Sequence, residues 1–122
     1  MSDFNVAGTL KFSHENFLRP AFMFYYVYIL QSTIDNSLYI GYTSDLKKRF
    51  TQHNNGESRA TKPKRPYKLI FYESFLNRID AKKREEYLKG GYGRKTINGL
   101  MKKYFLNNSL KNISNLAQGE HF

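Results

Sequence analysis

The stretch YVYILQSTIDNSLYIGYT, residues 26–43, decides the fold. Two runs rich in aromatic and β-branched residues, 24–31 and 38–43, have the composition of β-strands. Between them, Asp35 and Asn36 tolerate the tight backbone angles of a turn. The pattern therefore predicts a β-hairpin. Because its first run is continuously apolar, we expect that strand to lie in the middle of a sheet, covered on both faces.

Capping and breaking residues divide the rest of the chain. Ser44 or Asp45 is a candidate N-cap for a first helix that Gly56 ends, and Asn77 is a candidate N-cap for a second helix. The predicted elements after the hairpin are a helix to about residue 55, a strand over 68–74, a helix to residue 89 and a helix over 95–105. This order, ββαβαα, predicts an α/β fold of the α+β type, with a small three-stranded antiparallel sheet flanked by helices.

The two ends of the chain lack a sustained hydrophobic period. We expect residues 1–22 to be a flexible N-terminal extension, residues 23–105 to form one domain, and residues 106–122 to be a flexible C-terminal tail. Met23 stands directly before the strand pattern, so a start at that residue remains an alternative. The longest apolar run, residues 21–30, is about half the length that a membrane span needs, which predicts a cytoplasmic protein without membrane association.

The absence of cysteine excludes some classes of function, and the net charge favours others. The chain contains no cysteine, which excludes disulfides, thiolate metal sites and a cysteine nucleophile. Its net charge is +10, and residues 23–105 hold 17 basic and 7 acidic residues, so the whole excess lies in the predicted domain. Such a body favours a polyanionic partner, with nucleic acid as the first candidate. An anionic membrane surface, or solubility alone, is the alternative.

Helical spacing places charged residues beside apolar ones in both of the first two helices. In the second helix, Glu85 shares a face with Ala81 and Leu88, where a carboxylate must be paired, hydrogen-bonded or bound to a metal. The alternative is a solvated ion pair with a neighbouring cation. In the first helix, Arg49 and His53 are one turn apart and could present two donors to one phosphate. Taken singly, they fit a surface arginine and a helix-end histidine.

Tyrosines and a basic segment complete the candidate residues. Tyr28 and Tyr39 in the hairpin are either packing residues or phenols aimed at a substrate. The segment SRATKPKRPYK, residues 58–68, holds five basic side chains around two prolines. It is either a solvated loop or a surface that binds a phosphate backbone.

The order of these features resembles the GIY-YIG nuclease family. The hairpin carries YVY at residues 26–28 and YIG at 39–41, and ten residues separate Tyr28 from Tyr39. The helices supply the arginine, the histidine and the glutamate that the family expects. These are Arg49, His53 with Asn54 following it, and Glu85 within AKKREEYLKG. Tyr26 replaces the first glycine of the family pattern, as it often does in small single-domain members. The resemblance covers residues 23–105 and is greatest to stand-alone bacterial members, relatives of the excision-repair incision domain, homing endonucleases and Slx-type resolvases.

The resemblance implies a metal-dependent DNA endonuclease, in the setting of repair or recombination. Glu85 would hold one Mg²⁺ or Mn²⁺ ion, and Tyr28 would be the general base, with a pKa lowered by the ion and nearby cations. Tyr39 would orient water or phosphate, Arg49 would face the developing charge, and His53 would be a supporting donor or proton relay. Gly41 would make room between strand and helix.

Substrate binding is the remaining expectation. The residues predicted to bind nucleic acid are Asn54, Arg59, Lys62, Lys64, Arg65, Lys68 and Arg84, and Asn54 could instead brace the site. RNA in place of DNA, a non-catalytic nucleic-acid-binding module, and a nuclease subunit that needs a protein partner all remain alternatives.

Overall fold

The computed structural model describes residues 23–117, which divide into two compact units, 23–85 and 86–117. The elements in chain order are β1 (Tyr25–Ser32), β2 (Leu38–Thr43), α1 (Leu46–Asn54), a 3-10 turn (Lys62–Lys64), β3 (Tyr67–Phe75), α2 (Arg78–Lys89), α3 (Gly93–Leu100) and α4 (Lys102–Ala117). The α+β fold with a three-stranded antiparallel sheet is confirmed.

The sheet has the order β2-β1-β3, so the apolar strand β1 is central as its sequence predicts. All residues from Val27 to Ser32 are buried. A bulge in the pairing of β1 with β3 leaves Ile70 without a direct partner, because Ile29 pairs with Phe71 and Leu30 with Leu69. The hairpin turn bends as expected, with Asn36 at a φ of 64°.

Helix α1 covers the face of the sheet that carries Tyr28. Asp45 is the N-cap, and its carboxylate accepts from the backbone N–H of Lys48 at 3.1 Å. Gly56, at a φ of 80°, follows the helix end in the left-handed region. Leu46 and Phe50 pack against a core formed by Tyr28, Leu30 and Tyr67, with Tyr39 and Leu69 at its margin.

The basic loop after α1 (residues 57–66) is fixed to the hairpin. The Ser32 hydroxyl donates to the carbonyl of Lys64 at 2.7 Å. The backbone N–H and the hydroxyl of Thr33 donate to the carbonyl of Pro66 at 2.9 and 2.8 Å. This part of the chain therefore has a defined path, although most of its side chains face solvent.

The C-terminal helices differ from the prediction. Asn77 caps α2 as expected, accepting from the N–H groups of Ile79 and Asp80. The single helix predicted over 95–105 is instead two helices, because Met101 leaves helical geometry at φ −124° and ψ 36° and its side chain is buried. Helix α4 then continues to Ala117, so residues 106–117 are helical where the sequence predicted a flexible tail.

The predicted N-terminal extension, residues 1–22, lies outside the described residues, as do residues 118–122. Among residues 23–117, no helix combines the length and the apolar character that crossing a membrane requires.

Candidate active site

Tyr28 is the centre of the site. It lies in the middle of β1, directly opposite Gly41 of β2, and only 1% of its surface is exposed. A side chain at position 41 would overlap the hydroxyl and ring of Tyr28. The close approach predicted at Gly41 is therefore present, but the glycine makes room for the Tyr28 phenol rather than for a helix.

His53 connects Tyr28 to the loop after α1. It is completely buried, its Nε2 lies 2.8 Å from the Tyr28 hydroxyl, and its Nδ1 lies 2.7 Å from the hydroxyl of Thr61. His53 thus lies in the last turn of α1, as the helix-end interpretation has it, but it is buried. Both ring nitrogens are engaged within the protein, so His53 does not offer a free donor to a phosphate alongside Arg49.

Burial controls the protonation of both residues. It raises the pKa of Tyr28 to about 12, against the hydrogen bond that Arg49 donates to the phenol, which lowers that pKa. It also lowers the pKa of His53 to about 4, and the positive charge of Arg49 acts in the same direction. Burial outweighs the lowering effect of Arg49 on the Tyr28 pKa, and the further lowering expected from a bound ion stays a prediction. At neutral pH both side chains are uncharged.

Tyr39 and Arg49 lie around the same phenol. The rings of Tyr28, Tyr39 and His53 form a cluster, with centroids 5.0 Å apart for Tyr39 and His53 and 6.4 Å apart for Tyr28 and Tyr39. The guanidinium of Arg49 donates to Tyr28 and, at 3.1 Å, to the side-chain oxygen of Gln52. The hairpin and α1 thus bring four of the five predicted catalytic residues together.

Glu85 is the fifth predicted catalytic residue. Its side chain is 12% exposed, as the stripe containing the buried Ala81 predicts, and one oxygen lies 3.3 Å from Nζ of Lys82. Its negative charge contributes to raising the pKa of Tyr28, so the two groups are close enough to interact electrostatically. The carboxylate therefore acts on the phenol and is not an isolated surface group.

The donor set is compatible with a hard divalent cation. No three His, Asp or Glu side chains cluster as a metal site anywhere in residues 23–117, so the protein would supply few ligands. Mg²⁺ accepts this arrangement, because it retains several waters and takes one or two carboxylates together with substrate phosphate oxygens. The carboxylate of Glu85, partly shielded and held by an exchangeable lysine, fits that role.

Two residues predicted to bind nucleic acid are engaged inside the protein. The side-chain amide of Asn54 donates to the Tyr67 carbonyl at 3.0 Å and accepts from the Tyr67 N–H at 2.7 Å. This geometry corresponds to the bracing alternative. Arg84 forms a bidentate pair with Glu73, at 2.8 and 3.1 Å, which joins α2 to β3. Both residues are partly buried.

The other predicted binding residues, Arg59, Lys62, Lys64, Arg65 and Lys68, are exposed. Hydrogen bonds from Ser37 are the main cause that lowers the pKa of the Asp35 carboxyl, and an ion pair with Lys64 at 2.9 Å lowers it further. The same pairing with Asp35 raises the pKa of Lys64. The loop is thus neither fully solvated nor uniformly basic. Its backbone is fixed, and its cations differ in how strongly they are already neutralised.

Sequence reasoning missed Thr61. This residue is completely buried although it lies in a loop among basic residues, and it contacts His53 directly. No periodic pattern includes it, because it belongs to neither a helix nor a strand. A cavity of about 660 Å³ beside the site was also not foreseen. Its walls include Tyr26 of β1, Phe50 of α1 and Tyr72 of β3.

Comparison with known proteins identifies the family of the chain. Residues 24–98 match the family described as the GIY-YIG catalytic domain. The chain belongs to the GIY-YIG family. The matched segment contains every residue of the site described above, from Tyr28 to Glu85, and the family is a nuclease superfamily.

Relatives of this GIY-YIG protein are small UPF0213 proteins. A UPF0213 protein of Clostridium perfringens is 46% identical over 65 residues, which span 52% of this chain and 69% of the relative. UPF0213 protein YazA of Bacillus subtilis is 50% identical over 56 residues, spanning 45% of this chain and 57% of the relative. A solution NMR structure of a UPF0213 protein from Bacillus halodurans is 32% identical, covers 66% of this chain and 86% of that one, and has a TM-score of 0.43. These names state no reaction.

Proposed function

We propose that this GIY-YIG protein is a metal-dependent endonuclease that hydrolyses phosphodiester bonds in DNA. One observation carries the proposal: the buried Tyr28 phenol receives a hydrogen bond from Arg49, contacts His53 and interacts electrostatically with Glu85. A base, a fixed cation and a carboxylate are the groups that phosphodiester hydrolysis requires. The match of residues 24–98 to a nuclease superfamily supports it.

Tyr28 and His53 define a path for the proton of the attacking water. As the water oxygen bonds to phosphorus, its proton moves to the Tyr28 oxygen, and the Tyr28 proton moves to Nε2 of His53. Because the pKa of Tyr28 near 12 is far above that of His53 near 4, transfer ahead of the attack would cost on the order of 10 kcal/mol. Both transfers therefore accompany bond formation. The negative charge of a bound phosphate raises the proton affinity of His53 and favours them.

Arg49 and Glu85 serve to neutralise the negative charge of the phosphate, Arg49 directly and Glu85 through a metal ion. The guanidinium of Arg49 is fixed beside the phenol, where it stabilises negative charge that develops on the phosphoryl oxygens. Tyr39 lies against His53 and orients the water or the phosphate with its hydroxyl. Glu85 would hold Mg²⁺ or Mn²⁺, which supplies Lewis-acid neutralisation of the phosphate and its leaving oxygen. The leaving oxygen takes its proton from solvent.

DNA reaches this site along a basic surface. Arg59, Lys62 and Arg65 are exposed on the fixed loop that begins at the end of α1, and they favour binding of a phosphate backbone. The cavity with walls of Tyr26, Phe50 and Tyr72 offers room for a nucleotide on the face of the sheet that carries Tyr28. A role in repair or recombination follows from the family resemblance and stays a prediction.

The test is a cleavage assay with purified full-length protein, Mg²⁺ or Mn²⁺, and labelled duplex, nicked, branched and single-stranded DNA, with RNA included. We expect the wild type to cut at least one DNA substrate, and Tyr28→Phe and Glu85→Ala to reduce cleavage at least 10³-fold, on the order of the general-base contribution. Tyr92→Phe is the control for the first variant, because it removes the same hydroxyl from a side chain that is 74% exposed and has no part in the site. Glu86→Ala is the control for the second.

Each other outcome contradicts the proposal in a different way. Cleavage that persists in both site variants would show a contaminant or a different site. Binding of DNA by the wild type without cleavage of any substrate would identify a binding module instead. Cleavage that appears only after a cell extract is added, and that is lost in Glu85→Ala, would identify a subunit that depends on a protein partner.

A further inference from the structure

Thr61 is a buried polar residue to which the proposed reaction assigns no part. Neither its side chain nor that of His53 is exposed to solvent. The Thr61 hydroxyl lies 2.7 Å from Nδ1 of His53 and 3.5 Å from the carbonyl oxygen of Ser58. A hydroxyl in this position can hold the histidine ring in one orientation and select which ring nitrogen carries the proton.

The residues between Arg49 and Ser58 form a series of hydrogen bonds, and the groups at its two ends determine which atom donates in each bond. At one end, Arg49 only donates, so the Tyr28 oxygen accepts from it and keeps its own proton for another partner. Nε2 of His53 lies 2.8 Å away in a buried position and is the acceptor available to that proton.

At the other end, the Ser58 carbonyl only accepts. The Thr61 hydroxyl donates to it, which leaves the Thr61 oxygen to accept from Nδ1–H of His53. The chain then runs in one direction, from Arg49 through Tyr28, His53 and Thr61 to Ser58. In the opposite tautomer, Tyr28 would accept from both Arg49 and His53, and its proton would need a different partner.

We infer that Thr61 is a positioning residue that holds His53 as its Nδ1–H tautomer, so that the unprotonated Nε2 faces the Tyr28 hydroxyl. A histidine in water favours the Nε2–H tautomer, so the protein must stabilise the other one. The consequence for catalysis rests on the proposed function, whereas the tautomer itself does not. Only this tautomer can accept the phenol proton in the step described above.

The tautomer is measurable by NMR without any substrate. Long-range ¹H–¹⁵N correlations of the full-length ¹⁵N-labelled protein at pH 7.5 separate protonated from unprotonated ring nitrogens, and His53→Gln assigns the His53 signals against those of His14 and His121. We expect a protonated Nδ1 and an unprotonated Nε2 for His53. The same pattern in Thr61→Ser, and its loss in Thr61→Val, would show that the hydroxyl selects the tautomer.

Three results would overturn the inference. A wild-type His53 with Nε2 protonated contradicts it directly, and this measurement decides the question even if a variant fails to fold. A Thr61→Val protein that folds and retains the Nδ1–H pattern shows that Thr61 is not the cause. A Thr61→Ser protein that loses the pattern shows that shape, rather than the hydroxyl, is responsible.

A separate arm measures the reaction. With a cleaved DNA substrate, we expect Thr61→Val to lower kcat on the order of 10²-fold with KM nearly unchanged, and Thr61→Ser to stay within a few-fold of wild type. Equal kcat for Thr61→Val would contradict a role in the reaction. If the NMR pattern is as expected but no DNA is ever cut, the tautomer assignment stands and the proposed function fails.

Discussion

The two halves of the candidate site are built in opposite ways. The inner half consists of Tyr28, His53 and Thr61, none more than 1% exposed, joined by hydrogen bonds of 2.7 and 2.8 Å. The outer half centres on Glu85 of α2, whose ion pair is with Lys82, a side chain that is 47% exposed. The partners in the inner half are buried, whereas the outer half includes an exposed lysine that another cation can replace.

This difference assigns different tasks to the two halves. Proton transfer requires heavy atoms within hydrogen-bond distance, so its groups gain from being held in advance by packing. A divalent ion and a phosphate must enter and leave, so the carboxylate that meets them gains from a weak and accessible partner. The comparison predicts that changes in the inner half are costly to the fold, and that changes in the outer half act on metal and substrate dependence.

The largest effect is expected from Gly41→Ala. The new methyl group would overlap the hydroxyl and ring of Tyr28, which cannot move without breaking its bond to His53. We expect a loss of about 3 kcal/mol of unfolding free energy, as for an overpacked core, measured by urea denaturation. In α3, Gly99→Ala is the control, because nothing lies within 4 Å of the added atom and alanine favours helix there. Equal stability of the two variants would contradict the rigid packing of the inner half.

The second expected effect is a loss of folding stability at low pH, caused by His53. Its pKa is about 4 in the folded protein against 6.5 unfolded, so the unfolded chain binds this proton first as pH falls. Stability should therefore be complete above pH 6.5 and decrease down to pH 4, by roughly 3 kcal/mol in total. His53→Gln cannot titrate, so its stability should change less across the same window. Parallel curves for wild type and variant would show that other groups, such as the carboxylates, cause the loss.

The sequence predicted only those residues of the inner half that lie in a strand or a helix. The predicted hairpin placed Tyr28 and Tyr39 on neighbouring strands, and the helical stripe of α1 placed Arg49 and His53 together. It could not supply Thr61, because the path of the loop depends on long-range contacts such as Ser32 with Lys64. The raised pKa of Tyr28 was missed for a related reason: the depth of burial is a property of the assembled sheet and helix.

On the outer half, the sequence predicted the position of Glu85 on its helix but not the partner of Arg84. Glu85 lies beside the buried Ala81 as its spacing requires. Arg84, adjacent in sequence, is instead paired with Glu73 eleven residues earlier in the chain. Side-chain pairing between a helix and a strand depends on how they are oriented, which local periodicity does not encode.

A smaller effect is expected from Lys82→Gln. Removing the ammonium that lies 3.3 Å from Glu85 removes a cation with which a divalent ion would compete. Because an exposed ion pair contributes at most about 1 kcal/mol, the Mg²⁺ concentration for half-maximal cleavage should fall by a factor of a few. Lys83→Gln removes the same charge from an exposed position one residue further along α2 and is the matched control. An unchanged Mg²⁺ requirement in Lys82→Gln would indicate that Glu85 does not hold the ion.

The smallest effect concerns single cations on the basic loop, outside both halves. Each exposed lysine that contacts a phosphate should contribute a little under 1 to the slope of log affinity against log salt concentration. Lys62→Gln should reduce the slope by about that amount. Lys64→Gln should reduce it less, because Lys64 already forms an ion pair with Asp35 that DNA would have to displace. Fluorescence anisotropy with a labelled duplex at several salt concentrations separates the two, and Lys62, Lys64 and Arg65 neutralised together should flatten the slope further. An unchanged slope in that triple variant would mean that these side chains only keep the loop solvated, and that DNA is held elsewhere.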